Sequence, residues 1–138
     1  MQETNEMTPE MEIKKAKIAL NEAKILFEAE LYDGAASRSY YAAFHAMSAL
    51  LANDGYRMKK HSGVISKFRE LYIKTGIFDV SMSEQISDLF ELRTRCDYGN
   101  AYAAEKADVE ELIVNAETII TAIEERLSII TENQLNNK

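Results

Sequence analysis

The chain contains few of the residues that build turns and covalent cross-links. Its 138 residues include one proline, five glycines, one cysteine and no tryptophan. A β-sandwich or β-barrel needs many turns rich in glycine and proline, so this composition argues against both. The length fits one domain that is large enough to bury a substantial core. With 46% apolar residues, the composition favours a single helical domain.

Cysteine and long apolar runs are also scarce, and both features are informative about the cellular location of the protein. Cys96 has no second cysteine to pair with, so an internal disulfide is excluded and a cytoplasmic location is expected. The opening residues, MQETNEMTPE, lack the basic start and apolar run of a signal peptide. The uncharged stretch 39–53 is shorter than the roughly 20 apolar residues that cross a bilayer. We therefore expect no membrane partner.

Several chemical signatures are missing from the sequence. Two histidines and one cysteine at scattered positions give no zinc-binding spacing. No glycine-rich phosphate loop, dinucleotide fingerprint or Gly-x-Ser-x-Gly motif is present. We expect no metal and no cofactor. The net charge of −7 disfavours broad binding to nucleic acid, but it is compatible with a small local cationic site.

The most informative segment that is present is 38–53, RSYYAAFHAMSALLAN. After Arg38 it has fifteen residues without Asp, Glu, Lys or Arg, although 28% of the chain is charged. A helix with no charged face is a buried helix. At 100° per residue, Arg38, Tyr41 and His45 share one side with small residues, while the opposite side is apolar. The small-residue side is suited to close contact with a second helix or a partner chain.

The remaining segments predict a bundle of about five helices with up-and-down connections. Thr8 fits the cap of helix one, and Asp33-Gly34 is predicted to break the chain before helix two. A basic loop, 56–62, precedes helix three, for which Ser62 is the expected cap. Ser81 and Glu84 match a capping box at the start of helix four, which is expected to end at Tyr98 before Gly99. We expect a disordered lead (1–8), one helical domain (9–131) and a frayed polar tail (132–138).

The long helix five is predicted from an apolar stripe that recurs at helical spacing. Its members are Val109, Leu112, Ile113, Ala116, Ile119, Ile120, Ile123, Leu127 and Ile130.

Helix four carries two charges on its apolar side. On a helical wheel Arg93 and Asp97 share a stripe with Ile86, Leu89 and Phe90. A charge on an inward face costs several kcal/mol unless it is paired. Two interpretations follow. Either the two residues form a structural ion pair, or Arg93 lines a polar cleft and binds a phosphate while Asp97 holds it in place.

The two histidines allow similar alternatives. His45 lies on the buried helix. The simpler interpretation is a core residue that forms a hydrogen bond with Tyr41, and the alternative is a catalytic residue. His61 lies in the basic loop and is expected to be solvated.

Three segments, SRSYYAAFHAMSALL (37–51), KKHSGV (59–64) and LRTRCDYG (92–99), in this order and spacing, resemble the HEPN superfamily. They are most similar to its small, stand-alone prokaryotic members, and the resemblance covers nearly the whole chain. It implies a bundle of four to five helices that forms homodimers. The resemblance also implies a class of function. Many HEPN proteins are metal-independent ribonucleases, often toxins paired with a nucleotidyltransferase-type antitoxin. Others are non-catalytic or nucleotide-binding modules.

The nuclease motif of active HEPN members is an arginine followed, after four to six residues, by a histidine. The matching arginine here is Arg93, but Tyr98 occupies the histidine position, with Gly99 and Asn100 after it. An unperturbed tyrosine has a pKa of about 10 and exchanges protons poorly near neutral pH. The resemblance therefore implies candidate catalytic residues Arg93, Tyr98 and, as a substitute for the missing histidine, His45.

Three functions are compatible with these residues. The first is a homodimeric module that binds RNA or a nucleotide and works with a nucleotidyltransferase-type partner. Its expected ligand-binding residues are Arg38, Tyr41, Arg93 and Asp97. The second is a metal-independent endoribonuclease of toxin type. The third is a purely structural or interaction bundle in which the polar residues only stabilise the fold.

Overall fold

Five α-helices and one short π-helix form the protein in this computed structural model, which describes residues 7–98 and 104–136. The helices are α1 (Pro9–Glu28), α2 (Tyr32–Asn53), α3 (His61–Phe68), α4 (Ser81–Tyr98) and α5 (Lys106–Asn136), and the π-helix (Arg69–Ile73) directly continues α3. No strand occurs within the described ranges. The predicted all-α bundle is therefore confirmed.

Helix α2 is the centre of the bundle, because it packs against each of the other four α-helices. Eleven of its 22 residues are buried, including Tyr40, Met47 and Leu50. The absence of charge after Arg38 thus reflects a helix that is surrounded by others. Its small side chains Ala42 and Ala49 are fully buried, as are Ala16 and Ala23 of α1. Such residues allow the closest approach of two helix backbones.

Ion pairs give the direction of the packed helices. On the α1–α2 contact, Glu12 reaches His45 and Glu22 reaches Arg38. On the α1–α5 contact, Lys17 pairs with Glu124 and Lys24 pairs with Glu117, each at 2.7 Å. In both contacts the residue numbers run in opposite directions, so α1 is antiparallel to α2 and to α5.

The turn between α1 and α2 lies earlier than the sequence predicts. Helix α1 ends at Glu28, and Glu30 adopts a left-handed conformation with φ of 63°. The amide of Glu30 donates to Phe27 O (3.0 Å) and that of Leu31 donates to Leu26 O (2.9 Å), which is a Schellman motif without glycine. The predicted break at Asp33-Gly34 is wrong, because both residues lie in the first turn of α2.

A close helix contact explains the glycine at position 34. A Cβ atom at Gly34 would lie 3.3 Å from Leu26 Cδ1, so the absent side chain makes room for α1. Asp33 suits the positive end of the α2 dipole, and its Oδ1 accepts a hydrogen bond from the Ala104 amide at 2.8 Å. Both residues therefore support the helix that they were expected to interrupt.

The other helix ends agree with the predicted ends or differ from them by a few residues. Thr8 caps α1, since its Oγ1 accepts the Met11 amide at 3.2 Å, as predicted. Helix α3 begins at His61 rather than after a Ser62 cap. At α4 the predicted Ser81 cap is replaced by Asp79, whose Oδ2 accepts the Ser81 amide at 2.9 Å.

The two ends of the chain bear on the predicted boundaries. Helix α5 continues to Asn136, five residues past the predicted domain end at 131. Residues 1–6 of the predicted lead and residues 137–138 of the tail lie outside the described residues.

The apolar stripe of α5 faces the core. Six of its predicted members are buried and two are partly buried against the core, while the side chain of Ile130 lies outside the described part. The buried members are Val109, Leu112, Ala116, Ile119, Ile120 and Ile123.

Candidate anion site at Arg93

Arg93 of α4 lies mostly inside the bundle with polar partners on two sides. Its side chain is 14% exposed. Its Nε is 2.8 Å from Asp97 Oδ2, one helical turn further along. Its Nη2 donates a 3.0 Å hydrogen bond to the hydroxyl of Tyr41 on α2. The guanidinium plane is therefore held by a carboxylate on its own helix and a phenol on the neighbouring helix.

Aromatic rings surround the same guanidinium. The Arg93 Cζ lies 5.1 Å from the ring centroid of Tyr40 and 5.4 Å from that of Tyr41. Within about 6 Å, such rings attract a cation. Burial alone would lower the pKa of Arg93, but Tyr41, Asp97 and Tyr40 more than offset this and raise it. The group is a fixed positive charge at any pH at which the protein is folded.

A second cation, Arg38, lies about one helical turn before Tyr41 on α2 and contacts the ring of Tyr41. Its Cζ lies 4.9 Å from the Tyr41 ring centroid, and its Nη1 lies 3.6 Å from Glu22 Oε1 of α1. The four predicted ligand-binding residues are thus brought together, with Tyr41 in contact with both arginines. We call Arg38, Tyr41, Arg93 and Asp97 the Arg93 cluster.

His45 has a different partner from the predicted one. Its Nδ1 lies 3.0 Å from Glu12 Oε2, whereas Tyr41 bonds to Arg93 instead. The antiparallel packing of α1 on α2 brings the Glu12 carboxylate to the imidazole, and a carboxylate is a stronger partner than a phenol. The expected His45–Tyr41 hydrogen bond is therefore wrong.

His61 is the residue whose environment the sequence concealed. It is half-buried, its Nδ1 lies 3.3 Å from the Tyr40 hydroxyl, and its ring is 4.0 Å from the ring of Phe44. Tyr41 contacts it edge-on at 5.8 Å. The expectation that His61 is simply solvated is wrong, because the basic loop folds back and places it on the aromatic face of α2.

The electrostatics of His61 connect it to the Arg93 cluster. Burial, and then the positive charges of Arg93 and His45, lower the pKa of His61 below its ordinary value of 6.5. The imidazole is therefore mostly neutral at pH 7 and able to accept a proton. Burial raises the pKa of Tyr40 to about 12, so its hydroxyl stays protonated beside His61.

Two signals in the sequence pointed towards His61. Tyr40, Tyr41 and Phe44 are aromatic residues at helical spacing on α2, and they needed a partner from outside that helix. The segment KKHSGV, which contains His61, is also one of the three that carry the family resemblance. Neither signal gives the path of the loop, which decides whether the histidine turns inward.

Two further candidates are limited in what they offer. Tyr98 closes α4, but its side chain lies outside the described part of the chain. Cys96 lies 3.6 Å from Asp33 Oδ1, and burial followed by the charge of Asp33 raises its pKa to about 11, so it remains a thiol. Within residues 7–98 and 104–136, no group of three or more His, Cys, Asp or Glu side chains could hold a metal ion.

None of the described helices combines the length and the apolar character that a bilayer crossing requires.

Comparisons with known proteins agree with this fold and chain length. The model of the HEPN domain matches residues 10–126. A UPF0332 protein of Thermotoga maritima is 36% identical over 111 residues, which cover 80% of this chain and 84% of that protein. A Methanocaldococcus jannaschii protein named "Putative toxin MJ0142" is 37% identical over 101 residues, which cover 73% of this chain and 69% of that protein. The crystal structure of ST0689, an archaeal HEPN homologue, superposes with a TM-score of 0.69 at 21% identity and covers 88% of this chain and 98% of that one.

The match over residues 10–126 includes the whole Arg93 cluster. The chain belongs to the HEPN domain family.

Proposed function

We propose that the protein binds the phosphate group of RNA or of a nucleotide at the Arg93 cluster. The single observation that carries this proposal is the arrangement of Arg93, whose guanidinium is fixed by Asp97 and Tyr41. Arginine presents planar donors that match a phosphate, and fixing the plane in advance lowers the entropy lost on binding. A fixed cation flanked by a second arginine and a neutral imidazole is suited to a dianionic ligand.

The charge distribution favours a local site over an extended nucleic-acid surface. The whole chain carries a net charge of −7, which repels a long polyanion. Arg38 and Arg93 nevertheless place two positive charges beside Tyr41, each with one carboxylate partner, Glu22 for Arg38 and Asp97 for Arg93. We infer a ligand that offers one or two phosphates at a time, such as a nucleotide or an RNA end.

A comparison of two neighbouring arginines tests this proposal. Arg95 is two residues from Arg93 on the same helix, is 57% exposed and pairs with Glu91. Arg93→Gln should weaken binding of a labelled short single-stranded RNA at least tenfold in fluorescence anisotropy. Arg95→Gln removes the same charge from the other side of α4 and should change the affinity less than twofold.

The result that would overturn the proposal is an equal affinity of the two variants. If Arg93→Gln instead lowers only the melting temperature and no phosphate ligand binds either protein, the cluster stabilises the bundle and the structural alternative applies. Arg93→Lys is the matching variant for folding, because it keeps the charge but not the planar fork.

A second candidate function, metal-independent RNA cleavage, is favoured by the position of His61. The family motif places a histidine after the arginine, and this chain has Tyr98 there. His61 provides a neutral imidazole beside Arg93, which is the kind of group that general base catalysis requires. Relatives named as toxins are compatible with this activity.

The cleavage step uses the ribose 2′-hydroxyl as nucleophile. The 2′-oxygen attacks phosphorus while His61 accepts its proton, and the bond from phosphorus to the 5′-oxygen breaks. The leaving 5′-oxygen takes a proton from water, His45 or Tyr98, and the products are a 2′,3′-cyclic phosphate and a 5′-hydroxyl end. Arg93 would stabilise the charge that develops on the phosphate oxygens.

Cleavage in the presence of EDTA distinguishes the second candidate from binding alone. We expect a toxin-type enzyme to cut RNA with a chelator present and to lose this activity in Arg93→Ala and His61→Asn. If pure wild-type protein binds the RNA but does not cut it, the binding function stands and the enzymatic function is excluded.

We also propose that the protein is a homodimer associated through α1. Met11, Ile18 and Ile25 recur every seven residues on one side of α1 and are 51%, 51% and 60% exposed. Exposed apolar residues in a stripe are typical of a protein interface. Ile18 and Ile25 lie one turn on either side of Glu22, which pairs with Arg38. Association through this stripe would place the Arg38 side of each Arg93 cluster near the dimer interface.

A nucleotidyltransferase-type antitoxin remains the proposed protein partner. The acidic balance of the chain suits a protein partner better than a long nucleic acid, and the family resemblance supplies the partner's class. Co-purification with the product of an adjacent nucleotidyltransferase gene, if one is present, is the direct test.

A further inference from the structure

A groove lies between helix α4 and the wall formed by α3 and the π-helix. Its volume is about 730 Å³, within the usual range for a binding site. Helix α4 packs against the π-helix, whereas α3 and α4 make little contact with each other. The two walls therefore meet at the π-helix and separate towards the start of α3. We call this space the α3–α4 groove.

Arg69, the first residue of the π-helix, joins the two walls. Its Nε donates a 2.9 Å hydrogen bond to Ser83 Oγ, and its Nη2 donates to Ser83 O at 2.9 Å and to Ser87 Oγ at 2.6 Å. All three acceptors are neutral oxygens of α4. Arg69 takes part in none of the ion pairs within residues 7–98 and 104–136. Its positive charge is thus held in place without being neutralised.

The π-helix brings a second cation to the side of Arg69. The Lys74 amide donates to Arg69 O at 2.9 Å, and this bond spans five residues, as in a π turn. In an α-helix, residues five apart point about 140° away from each other. The wider π turn instead stacks the two residues, and both line the groove. Short π-helices are rare and frequently mark functional sites, which fits a binding role for this one.

The two carboxylates of the groove have partners outside it. Glu70 lies 2.9 Å from Lys67 Nζ, and Glu91 pairs with Arg95. Neither Lys67 nor Arg95 lines the groove. The groove and its edge therefore carry more positive than negative charge, although the whole chain has a net charge of −7. An acidic ligand is attracted to this surface and repelled by the rest of the molecule.

Phe90 gives the groove an exposed apolar group. It is 39% exposed, although its ring also lies 6.0 Å from that of Tyr40 in the core. Ile65 and Ile86, both buried, complete the apolar lining. An aromatic side chain between two helical walls is a typical contact point for a third helix, which packs its apolar side into the groove.

The length of the groove also suits a helix. Its lining extends along the first wall from Ser62 to Lys74, which is about 18 Å at the rise of a helix. This is the length of roughly three turns of a bound helix.

We propose that the α3–α4 groove binds an acidic amphipathic helix of a partner protein. The apolar side of the helix packs on Phe90, and its carboxylates pair with Arg69 and Lys74. The inference does not rest on the phosphate-binding function, because none of the four residues of the Arg93 cluster lines the groove.

Selection from a displayed library of random peptides tests the proposal, with the whole protein as the target. Peptides of about 16 residues are long enough for the three turns that the groove spans. We expect the enriched peptides to have apolar residues spaced three and four apart and a net negative charge. In fluorescence anisotropy, an enriched peptide should bind the wild type at least tenfold more tightly than it binds Phe90→Ala or Lys74→Glu.

Matched variants outside the groove are the controls. Val80→Ala removes a 73% exposed apolar side chain, and Lys106→Glu reverses the charge of an exposed lysine on α5. Both should bind the peptide like the wild type. Phe90 packs on the core, so its variant is also tested for folding by thermal melting, whereas Lys74→Glu changes only the surface of the groove.

Three results would overturn the proposal. The first is a library that yields no binder or only binders with a net positive charge. The second is peptide binding that survives both Phe90→Ala and Lys74→Glu. The third is a dimer that either substitution dissociates in analytical ultracentrifugation without peptide, because a second copy of the chain would then occupy the groove.

Discussion

The Arg93 guanidinium donates a 3.0 Å hydrogen bond to the hydroxyl of Tyr41, a residue 52 positions earlier in the chain. This bond joins α4 to α2 at the point where the buried helix carries its polar residues. The same tyrosine ring lies under Arg38. Tyr41 therefore sets both the position of Arg93 and the distance between the two arginines.

Removal of this hydroxyl should loosen the site without removing a charge. We expect Tyr41→Phe to cost about 0.5–1.5 kcal/mol of unfolding free energy, the usual value of one hydrogen bond. The affinity for a short RNA should fall several-fold because Arg93 is less well oriented. Tyr32→Phe on the same helix is the control and should bind RNA like the wild type. Unchanged binding by Tyr41→Phe would show that the hydroxyl does not position Arg93.

Protonation of His61 should make stability depend on pH. The unfolded chain takes up this proton near pH 6.5 and the folded chain only at lower pH, because burial, Arg93 and His45 lower the folded-state pKa. The stabilising contribution is thus complete above pH 6.5 and is lost as pH falls through the folded-state pKa. We expect the melting temperature of the wild type to fall relative to that of His61→Gln between pH 7 and pH 5. Parallel curves for the two proteins would contradict the burial of His61.

The apolar stripe of α1 predicts the behaviour of the proposed dimer. Ile18→Glu places a charge in the centre of the stripe and should convert dimers into monomers in analytical ultracentrifugation. Val114→Glu is the matched control, since Val114 is 58% exposed on α5 and lies outside the stripe. A wild-type protein that is monomeric at all concentrations, or a dimer that survives Ile18→Glu, would exclude association through α1.

The α1–α2 turn offers a test of the fold itself. Glu30 has φ of 63°, which costs a residue with a Cβ atom about 1–2 kcal/mol and costs glycine little. Glu30→Gly should therefore raise the free energy of unfolding, by up to about 1 kcal/mol after the larger entropy of the unfolded glycine is subtracted. Glu28→Gly, at the last residue of α1, should lower it. Equal destabilisation by the two substitutions would mean that Glu30 does not adopt the left-handed conformation.

The fold could be predicted from the sequence because helical periodicity and burial carry most of the information. The uncharged stretch after Arg38 predicted that α2 is buried, and the stripe of α5 predicted its inward face. The break at Asp33-Gly34 could not be predicted correctly, because glycine and aspartate are typical of turns but also serve helix starts and close contacts. Only the distance to Leu26 distinguishes these uses.

The candidate site was predictable in part for a related reason. Arg93 and Asp97 share a helix, and Arg38, Tyr41 and His45 share another, so their common faces follow from spacing alone. The partners Glu12 and His61 come from other segments, and no local pattern indicates which residues two packed helices bring into contact. The prediction that His45 bonds to Tyr41 failed for this reason, and so did the prediction that His61 is solvated.

The most direct measurement of the central claim observes the Arg93 side chain while a ligand is added. In a protein labelled with ¹⁵N-arginine, the six arginines give Nε–H signals, and the Arg93 signal is assigned by its loss in Arg93→Gln. During titration with adenosine 5′-monophosphate, we predict a saturable shift of the Arg93 signal, a smaller shift for Arg38 and none for Arg95. An Arg93 signal that stays fixed while the nucleotide saturates the protein, or while only exposed arginines respond, would contradict the proposed anion site.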